Sequence, residues 1–274
     1  MSGVLSIDNL TVTVASTPES GHRRVLLDGV SLRVGAGERV GLIGESGSGK
    51  SLLSLASIGL LPEPLDATGS VSLGGRELLG ASERAWNAVR GRDVALVFQE
   101  PTSALDPLMR LGRQVAGPLR RRRGLRGAPL RAEVRRVLRE VQLDDADRIA
   151  RSFPHEVSGG QRQRVAIAMA LACDPQLLIA DEPTTALDVT VQKEILRLIA
   201  DVAQQRGMSL LFVSHDIGAV ASMASRVVVL QHGRVVESGP TQQLIRQPAH
   251  PYTQRLVAGA RALDERLTIG AQHD

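Results

Sequence analysis

Residues suited to phosphate chemistry fall at five places along the chain. Gly44-Glu45-Ser46-Gly47-Ser48-Gly49-Lys50-Ser51 follows an apolar run and precedes the helical Leu52–Leu61. Its spacing is that of a phosphate loop, G-x-x-x-x-G-K-[ST], in the strand-then-helix context the motif needs. The glycines let backbone N–H groups turn around the β- and γ-phosphates, Lys50 reaches the terminal phosphates, and the Ser51 hydroxyl ligates magnesium. Ser158-Gly159-Gly160-Gln161 opens a helix, whose N-terminus favours anions through unpaired N–H groups and its dipole. The apolar strand Leu177–Ala180 then delivers Asp181 and Glu182 at its carboxyl end, where a metal ion and a general base would sit. Gln99 ends another apolar strand, residues 93–98. Its amide could touch magnesium or an attacking water, although glutamine is common at strand ends. His215 ends a third strand, Ser209–Val213. A lone histidine is often structural, but ligands of open α/β sheets bind at the carboxyl ends of strands.

The elements that must hold these residues are read from periodicity. Residues 4–14 and 30–43 have the alternating or β-branched character of strands, with a polar loop from Ser16 to Arg24 and a turn at Gly35-Ala36-Gly37. Residues 69–79 form a further strand run with Gly74-Gly75 as its hairpin turn. From Leu108 to Phe153 the pattern is helical: Leu130, Val134, Val137, Leu138 and Val141 share a face, and Pro129 is expected to open that helix. The basic run Arg120 to Arg123 reads as a solvated face or as a contact with anionic lipid or a membrane partner. Val189 to Arg206 is amphipathic and stops at Gly207. Val227–Leu230 and Arg234–Glu237 pair across His232-Gly233, and Thr241 is expected to cap a last short helix.

Composition narrows the function. The 274 residues can bury one α/β core with a satellite subdomain. Of 33 basic residues only Lys50 and Lys193 are lysine, so the isoelectric point near 10.1 reflects an arginine bias beside a net charge of only +4. Trp86, Phe98, Phe153, Phe212 and Tyr252 are the only aromatics. They are too few to stack a single-stranded nucleic acid, and no nucleic-acid partner is expected. One cysteine, Cys173, excludes an internal disulfide and a multi-cysteine metal site; within an apolar helix it reads as a buried structural thiol. No run is long enough to cross a bilayer, and the first residues lack a charged-then-apolar signal pattern, so a cytoplasmic place is expected.

Taken in order, these residues give the chain a resemblance to the nucleotide-binding subunits of ATP-binding cassette (ABC) transporters over nearly its full length. The matching segments are the phosphate loop Gly44 to Ser51, the glutamine loop at Gln99, the signature Ser158 to Gln161, the strand Leu177 to Asp181, Glu182, the D-loop Thr185-Ala186-Leu187-Asp188 and the switch His215. The resemblance implies an α/β fold: a P-loop NTPase (RecA-like) core with an antiparallel β subdomain and an inserted α-helical subdomain over about residues 100–160. It implies one nucleotide-binding domain over residues 1–264 and a polar, frayed tail over 265–274. ATP and Mg2+ are the implied cofactors. Gly44, Glu45, Ser46, Gly47, Ser48, Gly49, Lys50 and Ser51 are the implied phosphate cradle, and Ser51, Gln99 and Asp181 the magnesium ligands. Glu182 is the implied general base, with His215 and Gln99 beside the γ-phosphate and the attacking water. Ser158, Gly159, Gly160, Gln161 and Asp188 complete the nucleotide site, the signature turn facing the partner's nucleotide in a head-to-tail dimer.

Within that family GESGSGKS, FQEPTSALDP, the run from Ser158 to Gln192 and HPYT (His250 to Thr253) look like importers of the dipeptide, oligopeptide and nickel type. The implied partners are integral-membrane permease subunits, a second and non-identical ATP-binding subunit and, indirectly, an extracytoplasmic solute-binding protein. The implied location is peripheral, on the cytoplasmic face of the cell membrane. Peptides lead the expected cargo, ahead of nickel or a metal chelate and then opines or sugars. The competing reading is a soluble ABC ATPase of translation or DNA repair. Those carry two cassettes or a long mid-chain coiled coil, and this chain has one phosphate loop and no sustained heptads. A binding module with dead chemistry would need Lys50, Glu182 or His215 replaced, and all three are in place. Three features depart from the family pattern. No aromatic lies near Val14 to stack adenine, so Val14 or His22 is expected to pack the base with loose selectivity. The tail here contains no cysteine, so no iron–sulfur cluster is expected, and Val157 stands where leucine is usual.

Overall fold

The computed structural model describes residues 3–14, 24–99, 104–185 and 187–270. Along the chain, β1 (Leu5–Val14) and β2 (Arg24–Val34) lead through the Gly35-Ala36-Gly37 turn to β3 (Arg39–Ile43) and α1 (Lys50–Ala56). Then come β4 (Leu65–Leu73), β5 (Arg76–Glu77), α2 (Glu83–Val89) and β6 (Val94–Val97). Three helices follow, α3 (Leu111–Arg123), α4 (Gly127–Glu140) and α5 (Ala146–Arg151), and a 3-10 turn at Pro154–Glu156 precedes α6 (Gly159–Leu171). The remainder alternates: β7 (Leu177–Asp181), α7 (Val189–Gln205), β8 (Ser209–Ser214), α8 (Ile217–Met223), β9 (Arg226–Gln231), β10 (Arg234–Pro240), α9 (Thr241–Arg246) and α10 (Pro251–Gly270).

Two compact units result. One gathers residues 5–34, 38–79 and 211–274. Its antiparallel sheet has the order β2-β1-β4-β5. Side chains alternate across β1, so Leu5, Ile7, Leu10 and Val12 are buried against Leu27, Val30, Leu32 and Val34 of β2 and Val71 and Leu73 of β4. Each such side chain stabilises the fold by about 1.5–3 kcal/mol relative to exposure. In the same unit β3 pairs in parallel with β9, Val40 opposite Arg226 and Ile43 opposite Val229, and β9 turns back antiparallel into β10.

The other unit gathers residues 1–4, 35–37 and 80–210. Here β6 and β7 are parallel, Val94 opposite Leu177 and Val97 opposite Ala180. All five residues of β7 are buried, as a parallel strand covered on both faces requires. Helix α3 buries Leu111, Val115, Ala116 and Leu119 against α4, α5 and α6. Its four C-terminal arginines complement the negative end of its dipole before Gly124 ends it.

Several expectations change in detail. The strand after the polar loop starts at Arg24, because it pairs with β1 over its whole length (Val14 opposite Arg24); the loop at residues 16–23 lies outside the described residues. Pro129 is the third residue of α4, where it needs no N–H partner, and does not begin it. Helix α6 stops at Leu171, so Cys173 is outside it and only half-buried. Thr241 caps nothing: its hydroxyl donates to Ala224 O at 2.7 Å as the first residue of α9. A further helix, α10, follows, and carries residues 265–270 as well.

Candidate nucleotide-binding and catalytic site

The first unit presents the phosphate loop at the carboxyl end of β3. Lys50 is 5% exposed, and its Nζ donates to Gly44 O at 2.8 Å and Glu45 O at 3.0 Å. The loop is closed by Ser48 N–H donating to Glu45 O (3.1 Å) and fixed to the β9–β10 turn by Gly233 N–H donating to Ser48 O (2.9 Å). Gly49 sits at φ +105°, and a Cβ there would come within 2.6 Å of Leu27, so both backbone and space demand glycine. Ser51, the second residue of α1, is exposed. The loop's other neighbour is unexpected: Glu45 N–H donates to the Tyr252 hydroxyl of α10 at 2.7 Å. His215, exposed, follows β8, and Asp216 caps α8 by accepting from Gly218 N–H and Ala219 N–H. Val14 ends β1 half-buried, and His22 lies outside the described residues.

The second unit holds the acids. Parallel pairing of β6 and β7 brings their carboxyl ends side by side, and Gln99 Nε2 donates to Glu182 Oε2 at 3.2 Å. The Thr185 hydroxyl donates to the same oxygen at 3.0 Å. Glu182 sits at φ +46°, a left-handed backbone that residues other than glycine uncommonly adopt. Asp181 is 6% exposed.

At the signature turn, Ser158 Oγ accepts from Gln161 N–H (3.2 Å) while Gln161 Oε1 accepts from Ser158 N–H (3.1 Å), a capping box that fixes the start of α6. The Ser158 hydroxyl, used there as acceptor, keeps its proton to donate. A Cβ on Gly160 would come within 2.8 Å of Val191, so this turn lies directly against α7. Asp188 caps α7, accepting from Val191 N–H at 3.0 Å. Ala186 is outside the described residues, as are residues 100–103 after Gln99. Val157 is buried, so the valine fills its place under the turn. Lys193, the other lysine, is exposed on α7.

Charge is organised in the helices of this unit. Arg206 Nε donates to Glu140 at 2.7 Å, its Nη1 to Leu171 O at 2.9 Å, and it pairs with Asp174 at 2.9 Å. Arg136 joins Glu140 to Glu133, and Glu133 holds Arg123. Hydrogen bonding from Arg136 lowers the Glu133 pKa against the opposing effect of burial. The expected solvated run therefore divides: Arg123 clamps α3 to α4, and Arg120 lines a cavity of about 420 Å³ with Arg110, Arg113, Arg131, Arg135 and Arg151. Arg135 pairs with Asp147 at 3.1 Å, and Arg110 lies over the Phe153 ring. Among the described residues no acid pairs with Arg113, Arg120 or Arg131.

Sequence reading missed Thr185 as a holder of Glu182 and Tyr252 as a holder of the loop; TTALD and HPYT were the visible signals. Among the described residues no three His, Cys, Asp or Glu side chains cluster as a metal cage. The donors on hand are hard oxygens, and magnesium usually keeps only one or two carboxylates beside substrate phosphates. The residues fit that ion. No described helix is long and apolar enough to cross a membrane.

A family model described as "ABC transporter" matches residues 27–185. The chain is 46% identical over 233 residues to a probable peptide ABC transporter ATP-binding protein, y4tR, of Sinorhizobium fredii, covering 84% of this chain and 70% of that one. It is 44% identical over 257 residues to the peptidoglycan transport ATP-binding protein YejF of Agrobacterium fabrum, covering 93% of this chain but 46% of the relative. It is 40% identical over 270 residues to the glutathione import ATP-binding protein GsiA of Salmonella typhimurium, covering 95% of this chain and 42% of the relative. The chain thus spans about half the length of two of these relatives. Among solved structures, the dimeric post-hydrolysis state of the ATP-binding cassette MJ0796 bound to ADP and Pi superposes with a TM-score of 0.75 at 29% identity, covering 86% of this chain and 98% of that one.

Proposed function

Because the chain belongs to the ABC transporter family, we propose that it is the ATP-hydrolysing, energy-coupling subunit of an importer for peptides or peptide-like solutes. Residues 1–264 are read as one nucleotide-binding domain. The Glu182 carboxylate at the end of β7, held by Gln99 and Thr185, carries the proposal. In it Lys50 exchanges the carbonyls of Gly44 and Glu45 for phosphate oxygens, and backbone N–H groups of the loop take the rest of the charge. Glu182 accepts the proton of the attacking water, while Gln99 and Thr185 keep its lone pair aimed. His215 donates to the γ-phosphate. Magnesium, held by Ser51, Gln99 and Asp181, supplies charge neutralisation at the phosphates when bound. The remaining donors come from the signature turn of a second ATP-binding subunit, so that two nucleotides are sandwiched head to tail. The dimeric state of MJ0796 bound to ADP and Pi supports the pairing of two such subunits.

The names of the relatives support peptide-like cargo over nickel, opines or sugars, and the transport role over a soluble translation or repair ATPase. The arginine-lined cavity of α3, α4 and α5 is proposed as the seat of an acidic cytoplasmic segment of the permease, on charge complementarity. Peripheral attachment to the cytoplasmic membrane face follows from that docking. The test of the chemistry is Glu182→Gln in the assembled transporter. ATP binding should persist while phosphate release falls at least about 100-fold; near-normal turnover sinks the assignment.

A further inference from the structure

We propose that Tyr252 is a positioning residue for the phosphate loop, holding the Gly44–Glu45 peptide so that Lys50 stays aimed at the phosphates. Tyr252 lies in the first turn of α10, 2% exposed. Its hydroxyl oxygen accepts from Glu45 N–H at 2.7 Å. The carbonyl of that same peptide group, Gly44 O, accepts from Lys50 Nζ at 2.8 Å. A trans peptide is planar and points its N–H and C=O in opposite directions. The tyrosine and the lysine therefore grip one rigid plane from its two sides. When the lysine turns to a phosphate, the tyrosine bond is the one that stops the plane from rotating after it.

The ring is itself anchored. Glu237 of β10 accepts from Ala249 N–H at 2.9 Å and His250 N–H at 3.0 Å, and His250 Nδ1 accepts from Tyr252 N–H at 3.2 Å. Burial pushes the Glu237 carboxyl up, but the neighbouring Thr253 side chain and the N–H bonds from Ala249 and His250 outweigh it and leave the group below its ordinary value. The acceptor of the strut is thus a carboxylate at neutral pH. Burial also raises the phenol, so the hydroxyl remains protonated there. The HPYT sequence, which the nucleotide chemistry does not use, becomes a brace running from β10 to the loop.

The inference rests on the reading of residues 44–51 as the nucleotide site, and the experiment separates the two. MgATP and MgADP are titrated calorimetrically into the full chain and into Tyr252→Phe, which keeps the ring and removes only the hydroxyl. Loss of one such bond should weaken both nucleotides about 3–10-fold, raising KM for ATP with kcat within about twofold. A merely structural role would lower the unfolding midpoint and leave the affinities unchanged, which overturns the proposal. Wild-type protein that binds no nucleotide overturns the site reading instead. Should Tyr252→Phe not fold, amide exchange of wild-type Glu45 decides: protection is expected, and exchange at the unfolded-chain rate overturns the brace.

Discussion

In the proposed chemistry the Glu182 carboxylate takes a proton from water, and such a group must be aimed as well as basic. The two bonds on Glu182 Oε2 come from different directions in the chain, Gln99 from the neighbouring strand and Thr185 from three residues downstream. Thr185→Val removes one of them without changing shape. We expect kcat to fall about 2–10-fold, the value of one neutral hydrogen bond, with KM for ATP unchanged in steady-state phosphate release. The backbone under Glu182 is also tensed, since φ +46° costs about 1–2 kcal/mol for a residue with a Cβ. At this scale the residue types of the proposed site were legible as candidates, a lysine among glycines and an acid pair after an apolar strand, and the fold puts Lys50 in its loop and Glu182 beside Gln99. Tyr252 was not legible, because its partner lies 207 residues away and no local spacing signals such a bond.

Elements hold because charges and close contacts cross between them. Arg206 at the end of α7 is 16% exposed and reaches Glu140 of α4, Asp174 and Leu171 O together. Arg206→Ala leaves Glu140 short of its main partner and should cost about 1.5–3 kcal/mol in urea unfolding. Glu133 adds a pH dependence. Its folded pKa is depressed, so its contribution is complete above the unfolded carboxylate range and fades as pH falls through that range and below. Glu133→Gln should be the less stable protein at pH 7, and the gap should close towards pH 3. Gly160→Ala forces a Cβ against Val191; overpacking of about 1–3 kcal/mol is expected, read as a lower unfolding midpoint. Strands were the legible elements, since period-two alternation in β1 and glycine turns mark them. Helix α10 was not, because its buried Tyr252, Thr253 and Val257 make too short an apolar stripe. The capping role given to Thr241 failed because a buried hydroxyl found Ala224 O first.

For the whole molecule, the arginine bias has two separate outlets, a network that joins helices and a cavity whose one lining acid, Asp147, pairs with Arg135, while Arg113 and Arg131 form no ion pair among the described residues. Replacing both by glutamate should abolish recovery of the permease with tagged chain from membranes while MgATP affinity stays as in the wild type. Raising salt should weaken the wild-type association, because rim charges are screened within about 10 Å at 0.1 M. The same bias leaves two side-chain amines. Lys50 is folded into its loop at 5% exposure, and Lys193 stands in solvent on α7, a few residues past the valine that packs the signature turn. An amine-reactive dye therefore has a single accessible side-chain target, two positions past that valine, and its fluorescence should report any partner that docks on the turn.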